Sequence, residues 1–320
     1  MPNTAVKPKP LYVVAAVIRG ADGRIFLAKR PQHISQGGKW EFPGGKVEAG
    51  ESREAALARE LQEEIGIHVT QASPLIQIRH QYIEHLVYLD VWEVTGFTGE
   101  AHGKEGQQTQ WVTAADLNQF DFPLANQAII TAAQLPKTYL ITPEPKDTAQ
   151  FLASLEQALQ AGIQLVQFRA KSLQSEAYVA LAREVIGLVH RYQAKLILNT
   201  PPVWLDEADG LHLNSTQLMA IQQRPFYLQN KYLSAACHNL AELQQAEGIA
   251  CDFMLLSPVQ ATISHPDSAC LGWTQFQDLA QQVNKPLYAL GGLQASDLAT
   301  ARIYGAQGIA AIRGLWPTKA

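Results

Sequence analysis

The sequence predicts a two-domain chain of α/β and α+β character, in which a mixed sheet-and-helix half is followed by a compact (β/α)8 barrel. Three observations carry this. The chain has 320 residues, room for two domains at roughly 150 residues each. Its apolar content of 47% is that of a globular protein with full cores. The patterning also changes near Thr138: strands mixed with two helices come before it, and short apolar runs alternating with helical stretches come after.

Residues 1–10, with Pro2, Pro8 and Pro10 around Lys7 and Lys9, read as a loose arm. The first domain is placed at 11–135. LYVVAAVI and RIFLAKR flank Ala21-Asp22-Gly23, a turn signal that predicts a hairpin. A loop with Gly37, Gly38 and Pro43-Gly44-Gly45 leads to a helix over 52–65, stopped by Gly66. PLIQIRHQY and HLVYLDVWEV read as two further strands, and a second helix is expected after Pro123. The second domain is placed at 137–320. Its strand candidates are TYLIT, QLVQFR, KLILN, DGLHL, YLSAA, DFMLL, PLYAL and GIAAI. Eight such runs separated by helix-like segments predict parallel βα units closed into a TIM-type barrel. The junction at Leu135-Pro136-Lys137 has no Gly/Ser linker.

A net charge of −4 gives no electrostatic footprint for duplex nucleic acid. Free nucleotides are the expected ligand if nucleic-acid chemistry enters at all. Cys237, Cys251 and Cys270 are odd in number and lack CxxC spacing, which fits a reducing cytoplasm. The apolar run Leu11 to Ile18 is too short to cross a bilayer, so no membrane association is expected.

The chemistry-bearing helix surrounds Arg59. At 3.6 residues per turn, Glu60, Glu63 and Glu64 share one side, and Leu57, Ala58, Leu61 and Ile65 the other. Like charges three and four residues apart repel. A hard divalent cation bound to phosphates relieves that repulsion. A solvated acidic face is the alternative reading.

GKVEAGESREAALARELQEEIGI (Gly45 to Ile67) resembles the Nudix box at every fixed position: Gly45, Glu51, Arg59-Glu60, Leu61, Glu63-Glu64, Gly66 and Ile67. The resemblance implies an α/β/α sandwich whose loop–helix–loop binds Mg²⁺ (or Mn²⁺) on a diphosphate. It makes Glu60, Glu63 and Glu64 metal ligands, assisted by the Gly44 carbonyl, with Arg59 orienting the acids and Glu51 supporting them. Divalent ions would neutralise the phosphate oxygens and acidify the attacking water. Glu60 or Glu105 then takes the proton.

WEFPGGKVEAGE (Trp40 to Glu51), GKEGQ (Gly103 to Gln107) and DFPLAN (Asp121 to Asn126) resemble the MutT, or 8-oxo-dGTP diphosphatase, subfamily over about residues 11–135. That resemblance implies hydrolysis of 8-oxo-dGTP to 8-oxo-dGMP and pyrophosphate by attack at the β-phosphorus, which keeps a mispairing nucleotide out of DNA. Glu105 becomes a further metal ligand, and Asn126 bonds the oxidised base through an amide that both donates and accepts. Phe42 walls the base pocket, and Arg30 holds a phosphate. Each has a plainer alternative: helix cap for Asn126, core for Phe42, surface strand for Arg30, loop carboxylate for Glu105. Ser35 and His85 stand where the subfamily can carry a histidine and an arginine near the nucleoside pocket. An alternative substrate is another diphosphate, such as thiamine pyrophosphate.

In the second half, YLITPEP, QFRAK, ILN, ADGLHL, ALGGL and GAQGIAAIRG resemble the thiamine phosphate synthase and TenI tautomerase family over about 138–316. The resemblance implies a ligand site at the strand ends that takes a phosphorylated thiazole- or thiamine-like molecule. Its residues would be Arg169, Lys171, Asn199, His238, Gly291, Gly292 and Arg313. The synthase's metal-binding aspartates are missing: Thr200 follows the ILN asparagine, and Asn214 to Gln217 stand at the second position. A basic residue expected in the loop 262–266 is also missing, with His265 nearby. The barrel is therefore expected to lack synthase activity and to serve as a scaffold or regulatory binding module. His238, in CHNLAELQQAE, sits where the tautomerase branch carries its acid–base histidine.

Overall fold

The computed structural model describes residues 10–33, 36–81, 86–261 and 269–317. The chain divides into two compact units, Met1–Gln134 and Leu135–Ala320.

The first unit begins with β1 (Leu11–Ile18) and β2 (Ile25–Lys29), then β3 (Trp40–Glu41), β4 (Gly44–Lys46) and helix α1 (Arg53–Ile65). β5 (His68–Gln81), β6 (Leu86–Thr98), β7 (Thr109–Val112) and α2 (Gln127–Gln134) complete it. The strands form a four-stranded sheet, β4-β1-β6-β5, and a three-stranded sheet, β3-β2-β7. The expected β1–β2 hairpin is corrected here. The turn exists, with Gly23 N–H donating to the Gly20 carbonyl, but only one bridge, Arg19 to Ile25, links its arms. β1 instead pairs in parallel with β6 from Leu11↔Val87 to Ile18↔Val94. The reason lies in its composition: Val14 to Ile18 are all buried, so β1 needs cover on both faces and takes a central place in its sheet.

Each sheet face carries a helix. Val14, Ala16, Ile18, Trp92 and Val94 pack with Ala56, Leu57, Leu61 and Ile65 of α1. Ala15, Val17, Ile78 and Val91 pack with Ile129, Ile130 and Ala133 of α2. The apolar stripe of α1 therefore uses Ala56, whereas Ala58, expected inside, is exposed. Leu57, Leu61 and Ile65 form a row four residues apart, and of the two alanines beside it Ala56 is buried while Ala58 is exposed. Ser52 caps α1 by accepting the Ala55 N–H, and Gly66 ends it at φ 76°.

The second unit is a closed parallel barrel of eight strands, in the order β10-β11-β12-β13-β14-β15-β8-β9. These are β8 (Thr138–Ile141), β9 (Leu165–Phe168), β10 (Lys195–Asn199), β11 (Gly210–Leu213), β12 (Tyr232–Cys237), β13 (Phe253–Leu256), β14 (Leu287–Leu290) and β15 (Gly308–Ala311). All eight coincide with the runs read from the sequence. The helices are α3 (Thr148–Gln160), α4 (Ser175–Arg191), α5 (Ser215–Ala220), α6 (Leu240–Gly248), α7 (Gly272–Ala280) and α8 (Leu298–Ile303). The connection from β10 to β11 has no helix; Pro201 and Pro202, one residue after the strand, remove two backbone donors there.

Tyr139, Leu165, Ile197, Phe253, Leu255, Tyr288 and Ala310 fill the barrel. Tyr139 lies 5.7 Å from Phe253 and 5.4 Å from Tyr288 between ring centres. The interior is thus a packed core, and a ligand site belongs at the C-terminal strand ends. At the opposite end, Asp209 and Asp252 lock neighbouring strands by accepting the N–H groups of Leu196 at 2.9 Å and Leu233 at 2.7 Å.

Candidate active site

β4 opens with two glycines at positions that leave no room for side chains. A Cβ on Gly44 would lie 2.1 Å from the Val14 carbonyl oxygen, and one on Gly45 would lie 2.3 Å from the Glu60 carboxyl carbon. The Gly44 backbone N–H donates to Glu64 Oε2 at 3.0 Å. Strand and helix are therefore joined through two of the expected acids.

Arg59 ties the rest together. It grips Glu51 through Nε at 3.0 Å and Nη2 at 2.9 Å, a two-point contact suited to a planar carboxylate. Its Nη1 reaches Glu60 at 2.9 Å and Glu63 at 3.3 Å, and Nη2 also donates to the Lys46 carbonyl at 3.0 Å. These contacts raise the guanidinium pKa, chiefly the hydrogen bonds to Glu51 and then Glu60. They hold the Glu51 carboxyl below its ordinary range, again chiefly through Arg59.

Glu64 behaves oppositely. Its pKa is pushed up to about 7, first by burial and then by the neighbouring charges of Glu41, Glu105 and Glu60, with the Gly44 N–H opposing. Four carboxylates thus act on one another beside a bare glycine pair. Among the described residues, no three carboxylate, imidazole or thiol groups converge tightly enough to ligate one ion in this arrangement. The donor set nevertheless fits a hard divalent cation, because the mutually repelling groups are all oxygen donors.

The expected pocket residues are placed as follows. Phe42 is buried, 4% exposed, and stacks on Phe122 at 5.3 Å. Arg30 donates to the Glu41 carboxylate. Asn126 lies in a short turn before α2, half-buried, and its side chain makes no hydrogen bond among the described residues. Glu105 is exposed on a tight turn, its own N–H held by Gln107 Oε1 at 2.9 Å. His85 and Ser35 lie outside the described residues. Glu41 was not singled out from the sequence. Burial raises its pKa while Arg30 counteracts that, and its one sequence signal is a charge between Trp40 and Phe42.

In the barrel, Asn199 accepts from the Thr200 hydroxyl at 3.2 Å, and Thr200 adopts φ 40°. Asn214 caps α5 in a reciprocal pair with Gln217. Neither position offers a carboxylate. Glu144 gathers Arg169, 3.9 Å away, and the backbone N–H groups of Lys171 and Ser172. His238 Nδ1 lies 2.8 Å from the Ser257 carbonyl oxygen, which fixes the ring. A Cβ on Gly291 would meet Pro258 at 2.8 Å, and one on Gly292 would meet the Ala261 carbonyl at 2.6 Å. Close backbone packing therefore accounts for that glycine pair. Arg313 is exposed, and His265 lies outside the described residues.

The fold of the first unit is that of a Nudix module, and the second unit is a closed eight-stranded barrel of the (β/α)8 type. Residues 14–132 match the family model for the NUDIX domain, and residues 138–315, over half of the chain, match that for thiamine monophosphate synthase. The chain belongs to the thiamine monophosphate synthase family through its barrel and to the Nudix family through its first unit. It is similar to an 8-oxo-dGTP diphosphatase of Escherichia coli, 38% identical over 122 residues, or 38% of this chain and 95% of that relative. It is also similar to a CTP pyrophosphohydrolase of Escherichia coli, 37% identical over 124 residues, or 39% and 91%. The barrel is similar to a putative thiamine-phosphate synthase 2 of Aquifex aeolicus, 34% identical over 184 residues, or 56% and 97%.

Proposed function

We propose that the first unit is a divalent-metal-dependent nucleoside triphosphate pyrophosphohydrolase whose substrate is 8-oxo-dGTP, converted to 8-oxo-dGMP and pyrophosphate. The observation that carries the hydrolase reading is the joined set of Arg59, Glu51, Glu60 and Glu64 against the Gly44-Gly45 pair. Mg²⁺ or Mn²⁺, held by Glu60, Glu63, Glu64, Glu105 and the Gly44 carbonyl, would neutralise the triphosphate and acidify water. Arg59 keeps the acids of α1 in register with the loop. Arg30, held by Glu41, presents its guanidinium to a phosphate. The proton acceptor is Glu60, bonded to Arg59, or Glu105, which makes no ion pair among the described residues.

Overall identity does not choose the base, since the two Escherichia coli relatives differ by one percentage point. Asn126 supports 8-oxo-dGTP: its side chain keeps donor and acceptor free for the edge of an oxidised purine. Such an enzyme guards the cytoplasmic nucleotide pool and needs neither duplex nor membrane. No helix among the described residues is long and apolar enough to cross a membrane. The barrel, lacking the acids of a metal–pyrophosphate site, carries no synthase activity in this reading. The test is kcat/KM of the full chain with Mg²⁺ on 8-oxo-dGTP, dGTP, CTP and thiamine pyrophosphate. A clear preference for 8-oxo-dGTP is expected, and a preference for CTP or thiamine pyrophosphate would overturn the substrate.

A further inference from the structure

Glu105 stands on a tight turn, with Gly103 shortly before it and Gly106, at φ 80°, directly after. Glycine restrains a backbone least, so chain stiffness does not place this acid. Its carboxylate makes no ion pair among the described residues either. What holds the turn is the end of α1. The last carbonyls of a helix have no partner within it. Here Ile65 accepts the His102 N–H at 3.1 Å, Glu64 accepts the Lys104 N–H at 3.0 Å, and Gln62 accepts the Lys104 ammonium at 3.1 Å. A further contact differs in kind. The Gln107 amide donates through Nε2 to the same Glu64 carbonyl at 3.2 Å and accepts the Glu105 N–H on Oε1 at 2.9 Å. One half-buried side chain thus bridges the backbones of two acids that lie far apart in sequence. It lies over Gly103, where a Cβ would stand 2.9 Å from its Oε1.

We propose that Gln107 is a positioning residue that couples Glu105 to the acids of α1, so that the loop acid and the helix acids meet a bound nucleotide as one set. The inference rests on the hydrolase reading of the first unit, and it holds whether Glu105 takes the proton or holds the ion. An amide suits the task because it donates at one atom and accepts at the other. Methionine would keep the length and lose both bonds. The Lys104 contacts also fasten the turn to α1, but they stop one residue short of Glu105. Among the described residues, Gln107 is the side chain that grips the Glu105 backbone itself. A peptide group free to swing between two glycines carries its carboxylate with it. Misplacement of a catalytic group by an ångström can cost about 100-fold in rate.

The test is Gln107→Met in the full-length protein, with two readouts. In the metal-free protein without substrate, exchange of the Glu105 amide proton with water is followed by NMR. Gln107→Met should speed it roughly threefold to tenfold, the worth of one hydrogen bond. Lys104→Met, which loses only the side-chain contact to the Gln62 carbonyl, should leave it unchanged. With Mg²⁺ and 8-oxo-dGTP or dGTP, kcat of Gln107→Met should fall about tenfold or more while KM stays within about twofold, since the lost alignment serves the reaction and not substrate binding. In a Glu105→Gln background the same substitution should cost less than about twofold further, because a residue acting through Glu105 then has nothing left to position. Gln107→Asn, one methylene too short to reach both partners, replaces Gln107→Met should that variant not fold. Unchanged amide exchange, an unchanged kcat, or a loss that adds in full to that of Glu105→Gln would overturn the proposal. Absence of turnover in the unaltered chain would instead overturn the hydrolase reading, and the exchange rates would still judge the coupling.

Discussion

Acidifying the protein from pH 6.5 to pH 4.5 should weaken the barrel through one buried imidazole. His212 lies on β11, 3% exposed, with Nδ1 2.9 Å from the Ser234 hydroxyl oxygen. Burial pushes its pKa down from 6.5 to about 3. Above pH 6.5 the ring is neutral in both folded and unfolded chains and contributes nothing to pH dependence. Below it, the unfolded chain takes a proton that the folded barrel refuses, so stability falls as pH falls. The slope is about 1.4 kcal/mol per pH unit until the folded pKa is approached. Two pH units therefore cost on the order of 2–3 kcal/mol. The assay is urea unfolding of the full chain at both pH values, with His212→Gln beside it to cancel all other titrating groups. The unaltered protein should lose that much more stability than the variant. Parallel losses in the two would refute the reasoning, as would an imidazole proton resonance that shifts between pH 7 and 4.5.

Three further outcomes follow from the first unit. Arg59→Lys keeps the charge but loses the fork on Glu51 and the reach to Glu60, so hydrolysis should fall roughly 100-fold, as it does when catalytic groups are misplaced by an ångström or so. Steady-state kinetics check this, with circular dichroism confirming an unchanged fold. Phe42→Ala removes a buried ring stacked on Phe122 and should destabilise by about 3–5 kcal/mol, read as an earlier loss of hydrolase activity in urea. Asn126→Ala should narrow the ratio of kcat/KM for 8-oxo-dGTP over dGTP by roughly tenfold or more, since the amide would discriminate by hydrogen bonds, while leaving hydrolysis of dGTP itself nearly unchanged.

Much of this molecule was legible before its structure. The barrel strands could be read because each is a short apolar run bounded by helix-like or turn residues, and a strand covered on both faces needs little else. Helix α1 announced its start with Ser52, its end with Gly66 and its two faces by spacing. Its inner edge was misread at Ala58, because a small apolar residue tolerates either face. The β1–β2 pairing was lost for a different reason: Asp22-Gly23 makes a real turn, but β1 finds a longer partner in β6, far along the chain. Short strands such as β3, with two residues, carry no period to detect. Glu41 escaped because its importance lies in being drawn beside Arg30 and within electrostatic reach of Glu64 by the fold. The Glu144 contact likewise joins two loops 27 residues apart in sequence, a proximity only barrel closure creates.

The central claim is that the glutamates of α1, fixed by Arg59 and the glycine pair, drive metal-dependent hydrolysis of a phosphoanhydride. The most direct measurement is Mg²⁺-dependent pyrophosphate release from 8-oxo-dGTP by the unaltered full-length protein and by Glu60→Gln, alongside their melting temperatures. The expected result is turnover that vanishes with chelator and in the variant, at an unchanged melting temperature. Full activity in Glu60→Gln, or hydrolysis indifferent to the metal, would contradict it.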